Sequence, residues 1–400
     1  MKRQLLAFCS FVILLFASQV FAQSSNSQMM WASMEVASDT AVFTLNLPEA
    51  GCLSVYKTYS STKKERFWGP VYMQKGRFRL RIPLSRIAGG QGYFELFNLS
   101  PYAEFETGSR GNGERQFVNP CGLDYDRTKK ELLIADTGND RIVRLSEDGR
   151  FLSKHGGFGI ILGEHSEERE ETLDAPYDVA AGGFSNFYVS DQNNDRICIF
   201  DTFRSYKGNL YPEKKARRSQ FSRPSGITVD RENNIWIVET GNDRLLKISP
   251  YGDKIFELGG FGSGRNRLKR PEQVAISDDG KVYVADTGNG RIAIFDKLGA
   301  YMSSLNGDFK NVSAVHPDAD GLLWITDATE DKLILCTPAG VKLSEFVSAS
   351  DGSTFRAPRD LASSEKALFL LDSGNHRIVH FNKNKESTRV SWQAPGDVVE

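Results

Sequence analysis

Beyond residue 22 the chain has no apolar run approaching the roughly 20 residues a helix needs to cross a bilayer. Histidine and cysteine are scarce, five of each in 400 residues. A zinc centre needs about three protein ligands and an open position. Of the five histidines only His316 falls in a candidate site, while His155, His165, His376 and His380 lie in unlike contexts, which argues against a histidine metal centre. Cys52, Cys121, Cys198 and Cys336 are widely spaced in dissimilar surroundings and read as small buried apolar residues rather than a disulfide framework. There is no Gly-x-Ser-x-Gly elbow, phosphate-binding loop or paired-cysteine zinc motif. The Gly-rich stretches at 156–159 and 259–264 follow strands and do not open helices, so a nucleotide site is not expected there. A net charge of −1 excludes any global attraction to nucleic acid or anionic membranes.

The first 22 residues carry Lys2 and Arg3, an apolar run over 5–16 and a Val20-Phe21-Ala22 ending, the pattern of a cleavable secretory signal peptide. This predicts a secreted or periplasmic protein. Phe8 before Cys9, upstream of the main apolar run, does not suit lipid attachment. With 26 phenylalanines and 40% hydrophobic residues the rest can bury a large core, which excludes disorder. Residues 23–100 show alternating strands at 41–47, 53–56, 76–83 and 92–96 and predict a small β-sandwich, with 57–66 as a basic surface loop.

From there a motif recurs six times. It runs Asp136-Thr-Gly-Asn-Asp-Arg141, Asp191-Gln-Asn-Asn-Asp-Arg196, Glu239-Thr-Gly-Asn-Asp-Arg244, Asp286-Thr-Gly-Asn-Gly-Arg291, Asp327-Ala-Thr-Glu-Asp-Lys332 and Asp372-Ser-Gly-Asn-His-Arg377. The acidic residues are spaced 55, 48, 47, 41 and 45 apart, a period suited to one four-stranded propeller blade. Apolar strands flank every copy, and a segment such as Phe221-Ser-Arg-Pro-Ser-Gly-Ile precedes it. The motif therefore reads as a hairpin connection, in which Gly and Asn supply positive φ and the acid and the base clasp the turn as a surface ion pair. Six near-identical copies argue against catalysis, which needs one asymmetric constellation. The fifth copy, with Lys332 for Arg and no Gly, departs most.

These residues resemble the NHL repeat, whose Asn-His-Arg-Ile hallmark stands at 375–378. The resemblance covers about residues 103–382 and implies a closed six-bladed β-propeller over 101–386, with 387–400 as a tail. The preceding sandwich is similar to immunoglobulin-like domains of exported proteins. The whole is thus expected to be all-β. Closing the ring requires a strand from outside the repeats. The stretch 103–108 mimics the outer strand at 151–156 and predicts closure from the N-terminal side, in competition with residues 388–392.

Aligning the repeats places candidate ligand-binding residues at one mouth of the ring: Tyr177, Asp178, Glu272, Gln273, His316, Arg359 and Asp360, with Asp124 and Thr228 a step further in. Sheets two, four and six supply the polar pairs, and the others small ones such as Cys121-Gly122 and Ser225-Gly226. Acidic residues at 164–171 face a basic run at 214–218 with Arg223 and another at 265–270, a divided charge suited to a protein, peptide or polysaccharide partner. The expected function is a binding protein with no cofactor. The alternative is a hydrolase similar to calcium lactonases, with the ion held by Asp178, Glu272 and Asp360.

Overall fold

The computed structural model describes residues 20–21, 31–37, 40–47, 51–58, 64–73, 76–87, 91–97, 102–158, 172–183, 185–201, 206–211, 221–307, 309–319, 321–349, 352–382 and 388–393. Eight four-stranded sheets carry almost all of the regular structure, with a single four-residue α-helix, Leu84–Ile87, among the described residues. The chain divides into two units, Met1–Ser100 with Lys385–Glu400, and Pro101–Asn384.

In the first unit Thr40–Leu47 lies between Trp31–Ala37 and Gly76–Pro83, while Gly51–Thr58 lies between Lys64–Met73 and Gln91–Phe97. Strict alternation in Thr40–Leu47 buries Ala41, Phe43, Leu45 and Leu47 on one face. They pack with Leu53, Val55 and Phe94 of the other sheet, so the two sheets share one core. Of the basic run read as a loop over 57–66, Lys57 and Thr58 are strand and pair with Glu65 and Lys64, while 59–63 lie outside the described residues. Residues 388–393, read as tail, form the strand Thr388–Gln393 and pair with Gln91–Phe97. The partner lies so far away in sequence that no local pattern announces it. Of the expected leader only Val20–Phe21 is described, as a short strand beside Trp31–Ala37, and the rest of 1–22 lies outside the described residues.

The second unit holds six sheets. Their innermost strands are Gly122–Asp126, Pro176–Ala181, Pro224–Val229, Gln273–Ile276, Val312–Pro317 and Pro358–Ser363, taken as sheets one to six. Each inner strand neighbours the next, and that of sheet six neighbours that of sheet one. Second strands such as Ile235–Glu239 are buried throughout, because apolar faces of adjacent sheets cover both sides. Outer strands such as Phe151–Gly156 alternate and face water on one side. Leu123, Ile134 and Val143 of sheet one pack on Phe369, Leu371 and Ile378 of sheet six. The fourth strand of sheet six is Tyr102–Thr107, paired with Arg377–Asn382, which is the N-terminal closure read from the sequence.

The six-fold motif does more than clasp a hairpin. Asp136 Oδ2 takes Arg141 Nε at 2.8 Å and the Asn139 amide at 2.8 Å, while its Oδ1 takes the Val118 N–H of the loop leading into the sheet. Arg141 then donates to the carbonyls of Asn112, Gly113 and Gln116 in that loop. The same acid–base pairing recurs at Asp191–Arg196, Glu239–Arg244, Asp286–Arg291 and Asp372–Arg377. The acids are all buried, and so are the arginines except the partly exposed Arg244, so these are not the surface bridges the sequence suggested; the lead-in loop folds over them. Sheet five breaks the pattern. Lys332 pairs with Glu330 and Glu345, and Asp327 accepts backbone N–H groups of Lys310, Asn311, Thr329 and Glu330 instead.

The glycine at the third position of the motif is not the residue at positive φ. The left-handed position is the fifth of each copy: Asp140, Asp195, Asp243, Gly290, Asp331 and His376. Gly138 instead allows close approach, since a Cβ there would stand 2.6 Å from the Val118 carbonyl oxygen. The fifth residue also joins neighbouring sheets. Asp140, Asp195, Asp243 and Asp331 each accept the N–H of a lead-in residue of the next sheet, Ala175, Arg223, Arg270 and Ala357, at 2.6–2.8 Å.

At the joint between sheets six and one, His376 Nδ1 takes the place of the carboxylate and accepts the Asn119 N–H at 3.1 Å. That bond requires an unprotonated Nδ1. Burial first, then Arg110 and Arg356, hold the imidazole below its usual range, against the opposing pull of Asp136 and Asp372. A histidine whose pKa is lower folded than unfolded stabilises the fold above about pH 6.5 and loses that contribution as pH falls toward the folded value. Thermal melts from pH 7.5 to 5 should therefore show a loss of about 1 kcal/mol, one hydrogen bond's worth. His376→Asp should flatten that dependence, and an equal slope in both proteins would contradict the joint.

Candidate functional site

Two cavities lie on the ring's inner strands. The residue after each inner-strand proline is small in sheets one and three, Cys121 and Ser225, and large in sheets two, four and six, Tyr177, Glu272 and Arg359. The large three meet. Tyr177 Oη donates to Glu272 Oε2 at 3.1 Å, and Arg359 Nη1 donates to the same oxygen at 3.3 Å. Burial first, then the Glu272 charge, push the Tyr177 hydroxyl well above its ordinary pKa, so it is a donor at any physiological pH. This triad lines a cavity of about 430 Å³ with Gln192, Arg223, Thr240 and Arg270. Thr240 and Gln192 come from the turn motifs, so this cavity opens on the face where those turns lie.

The next residue inward plays another part. Asp178 Oδ2 accepts the Ile227 N–H of sheet three at 2.9 Å, and Asp360 Oδ2 accepts the Leu123 N–H of sheet one at 2.7 Å. Asp124 bonds likewise to Ala181 and Gln273 to Val315, each in the following sheet. Where this position is glycine the backbones come closer, and a Cβ on Gly226 would stand 2.5 Å from Gln273 Cα. These residues, with Thr228 and His316, line a second cavity of about 470 Å³ that extends to the turns at 126–128, 182–183 and 230–231. His316 Nε2 is 2.8 Å from Ser363 Oγ.

Of the seven residues expected at one mouth, then, Tyr177, Glu272 and Arg359 come together there, whereas Asp178, Gln273, His316 and Asp360 line the other cavity. The set Asp178, Glu272 and Asp360 read as a calcium site does not converge. Both oxygens of Asp178 and of Asp360 already accept backbone N–H groups, from Val179, Ile227, Leu123 and Leu361. Burial first, and then the neighbouring carboxylate of Asp124 and, for Asp360, that of Asp178, raise both carboxyls toward the protonated form. Arg223 and Arg270, expected beside the mouth as part of its basic loops, do line it, whereas sequence reasoning missed Gln192 and Thr240. The signal for Gln192 and Thr240 is positional, since each is the second residue of its turn motif, while Arg223 and Arg270 both immediately precede the inner-strand proline.

The charged loops at 164–171 and 214–218 lie outside the described residues. Cys198 and Cys336 are buried free thiols, as expected, and burial pushes Cys336 up to about 12. Cys121 is free and half-buried beside the triad, its thiol raised by burial.

The family model described as the NHL repeat matches residues 268–295, which hold the Asp286–Arg291 motif of sheet four. A structural-genomics protein of Bacteroides thetaiotaomicron shares the fold with a TM-score of 0.53 at 12% identity, over 90% of this chain and 99% of that one. A second solved structure, described as a putative gluconolactonase, gives a TM-score of 0.51 at 14% identity over 72% of this chain and 96% of its own. The Drosophila melanogaster protein brain tumor is 24% identical over 157 residues, 38% of this chain and 13% of that protein, so the match spans only about an eighth of that relative. One repeat, that of sheet four, thus matches the NHL-repeat model, and the two solved structures share the β-propeller type of fold that the six sheets form.

Proposed function

We propose that the chain is an exported binding protein that holds a protein, peptide or polysaccharide partner at the 430 Å³ mouth of a closed, six-bladed propeller. The N-terminal sandwich, immunoglobulin-like in its two-sheet packing, serves as a spacer or second contact. The observation that carries the reading is the meeting of Tyr177, Glu272 and Arg359 from alternate sheets. The joints between sheets are made by other residues, so ring assembly does not explain why three large polar side chains converge above the channel. A concave polar site assembled from several elements of a rigid scaffold is the usual form of a recognition surface. Export rests on the leading 22 residues. Commitment of Asp178 and Asp360 to the ring favours binding over the calcium-dependent hydrolase.

Replacing Tyr177, Glu272 and Arg359 together with Ala should leave the circular dichroism spectrum unchanged and weaken partner binding at least about tenfold, the loss of roughly 1.4 kcal/mol. Affinity capture followed by calorimetric titration with the captured partner reads this out. Unchanged affinity would remove the mouth as the site.

A further inference from the structure

We infer that the mouth is built to take the carboxylate of an acidic side chain on a projecting loop of a partner protein, an inference that rests on the mouth being the binding site. Among the described residues its lining holds three guanidinium groups, Arg223, Arg270 and Arg359, against one carboxylate, Glu272. Arg223 and Arg270 occupy the same ring position in neighbouring sheets. Each immediately precedes the inner-strand proline, at φ of 46° and 45°, with its N–H fixed by Asp195 or Asp243 of the sheet before. At that position other sheets place Asn119, Ala175 and Ala357. A left-handed backbone costs a non-glycine residue energy, and the joint holds it there. The result is a pair of arginines leaving rigid, equivalent backbone positions at one side of the cavity.

Among the described residues their donors are mostly unspent. A guanidinium carries five N–H donors. Arg270 reaches Glu272 only at 3.8 Å and its side chain is 70% exposed. Arg223 meets the Gln192 side chain at 3.4 Å. Glu272 serves Tyr177 and Arg359 through one oxygen and stands 3.8 Å from Arg270 through the other, so its single charge cannot neutralise all three arginines. Planar donor forks of this kind match a carboxylate bidentately. The cavity, about 430 Å³, admits one or two side chains rather than a folded domain, which points to a loop tip. Nucleic acid fits less well. It is bound by tracks of many phosphate contacts and by exposed aromatic platforms, whereas the one aromatic ring lining this mouth, Tyr177, has its hydroxyl tied to Glu272.

The test is fluorescence anisotropy on the full chain with a fluorescein-labelled, glycine-rich heptapeptide bearing two glutamates. Its glutamine counterpart, an oligogalacturonate and a single-stranded RNA serve as comparisons. The glutamate peptide should bind at least about tenfold more tightly than the glutamine one and weaken as salt rises. Arg223→Gln with Arg270→Gln should reduce its affinity about tenfold at an unchanged melting temperature. No binding, equal binding of the two peptides, an unaffected double variant, or tighter binding of the RNA or the oligogalacturonate would each overturn the inference. The two readings fail separately. If the triple alanine variant loses the captured partner while the glutamate peptide does not bind, the mouth stands and the carboxylate falls. If the triple variant keeps its partner, the mouth itself falls.

Discussion

Arg291→Ala is expected to lower the unfolding free energy by about 3–5 kcal/mol, the usual cost of leaving one member of a buried ion pair without its partner. The Asp286 side chain is fully buried, and Arg291 lies 2.7 Å away with only a tenth of its side chain exposed. The same guanidinium fills the carbonyls of Ser263, Gly264 and Arg267, so its removal also strips the lead-in loop of three hydrogen bonds. Lys332→Ala, at the equivalent position of sheet five, should leave the denaturation midpoint almost unmoved. Lys332 spends its charge on Glu330 and Glu345 near the surface, and Asp327 is satisfied by backbone N–H groups. Urea denaturation followed by circular dichroism compares the two. Equal losses would mean that the motif's base does not act through burial.

A loss of similar size, about 3–5 kcal/mol, is expected for Trp236→Ala. Trp236 is fully buried in the second strand of sheet three and packs edge-on against Phe256 at 5.4 Å. Its Nε1 donates to Asp230 Oδ2 at 3.0 Å, and Lys247 Nζ lies 4.6 Å from the ring centroid and 3.2 Å from the same Asp230 oxygen. Truncation therefore opens a cavity and removes one side of a three-member polar cluster together. Trp236→Phe keeps most of the volume and loses only the N–H, so it should cost about 1–2 kcal/mol. Comparable losses for both variants would show that the hydrogen bond to Asp230, rather than packing, dominates at this site.

Much of the architecture was legible because the repeat is periodic. The spacing of Asp136, Asp191, Glu239, Asp286, Asp327 and Asp372 set the sheets, and the likeness of 103–108 to 151–156 identified the closing strand. What was hidden depends on partners distant in sequence. Nothing local to Asp140 shows that its carboxylate holds the next sheet's Ala175 N–H, nor that Gly138 is small because Val118 presses against it. The candidate site was half legible for the same reason. Alignment found the ring positions of Tyr177 and Asp178 but not that successive residues of an inner strand face different cavities. Strand alternation separates Glu272 from Gln273 and Arg359 from Asp360, so one residue of each pair reaches the mouth and the other ties sheets together. Arg223 and Arg270 were legible as basic charge beside the mouth but not as a matched pair, because their left-handed backbone is imposed by aspartates a sheet away.

The central claim is that sheets far apart in the chain close a ring and bring Tyr177 and Arg359 to the same carboxylate. A double-mutant cycle between Tyr177→Phe and Arg359→Ala, read by equilibrium denaturation, tests it most directly. Side chains sharing a hydrogen-bonded partner couple by about 0.5–3 kcal/mol, and a coupling in that range is the expected result. Strict additivity, within about 0.3 kcal/mol, is the behaviour of sites too far apart to interact and would contradict the closed ring and the mouth it builds.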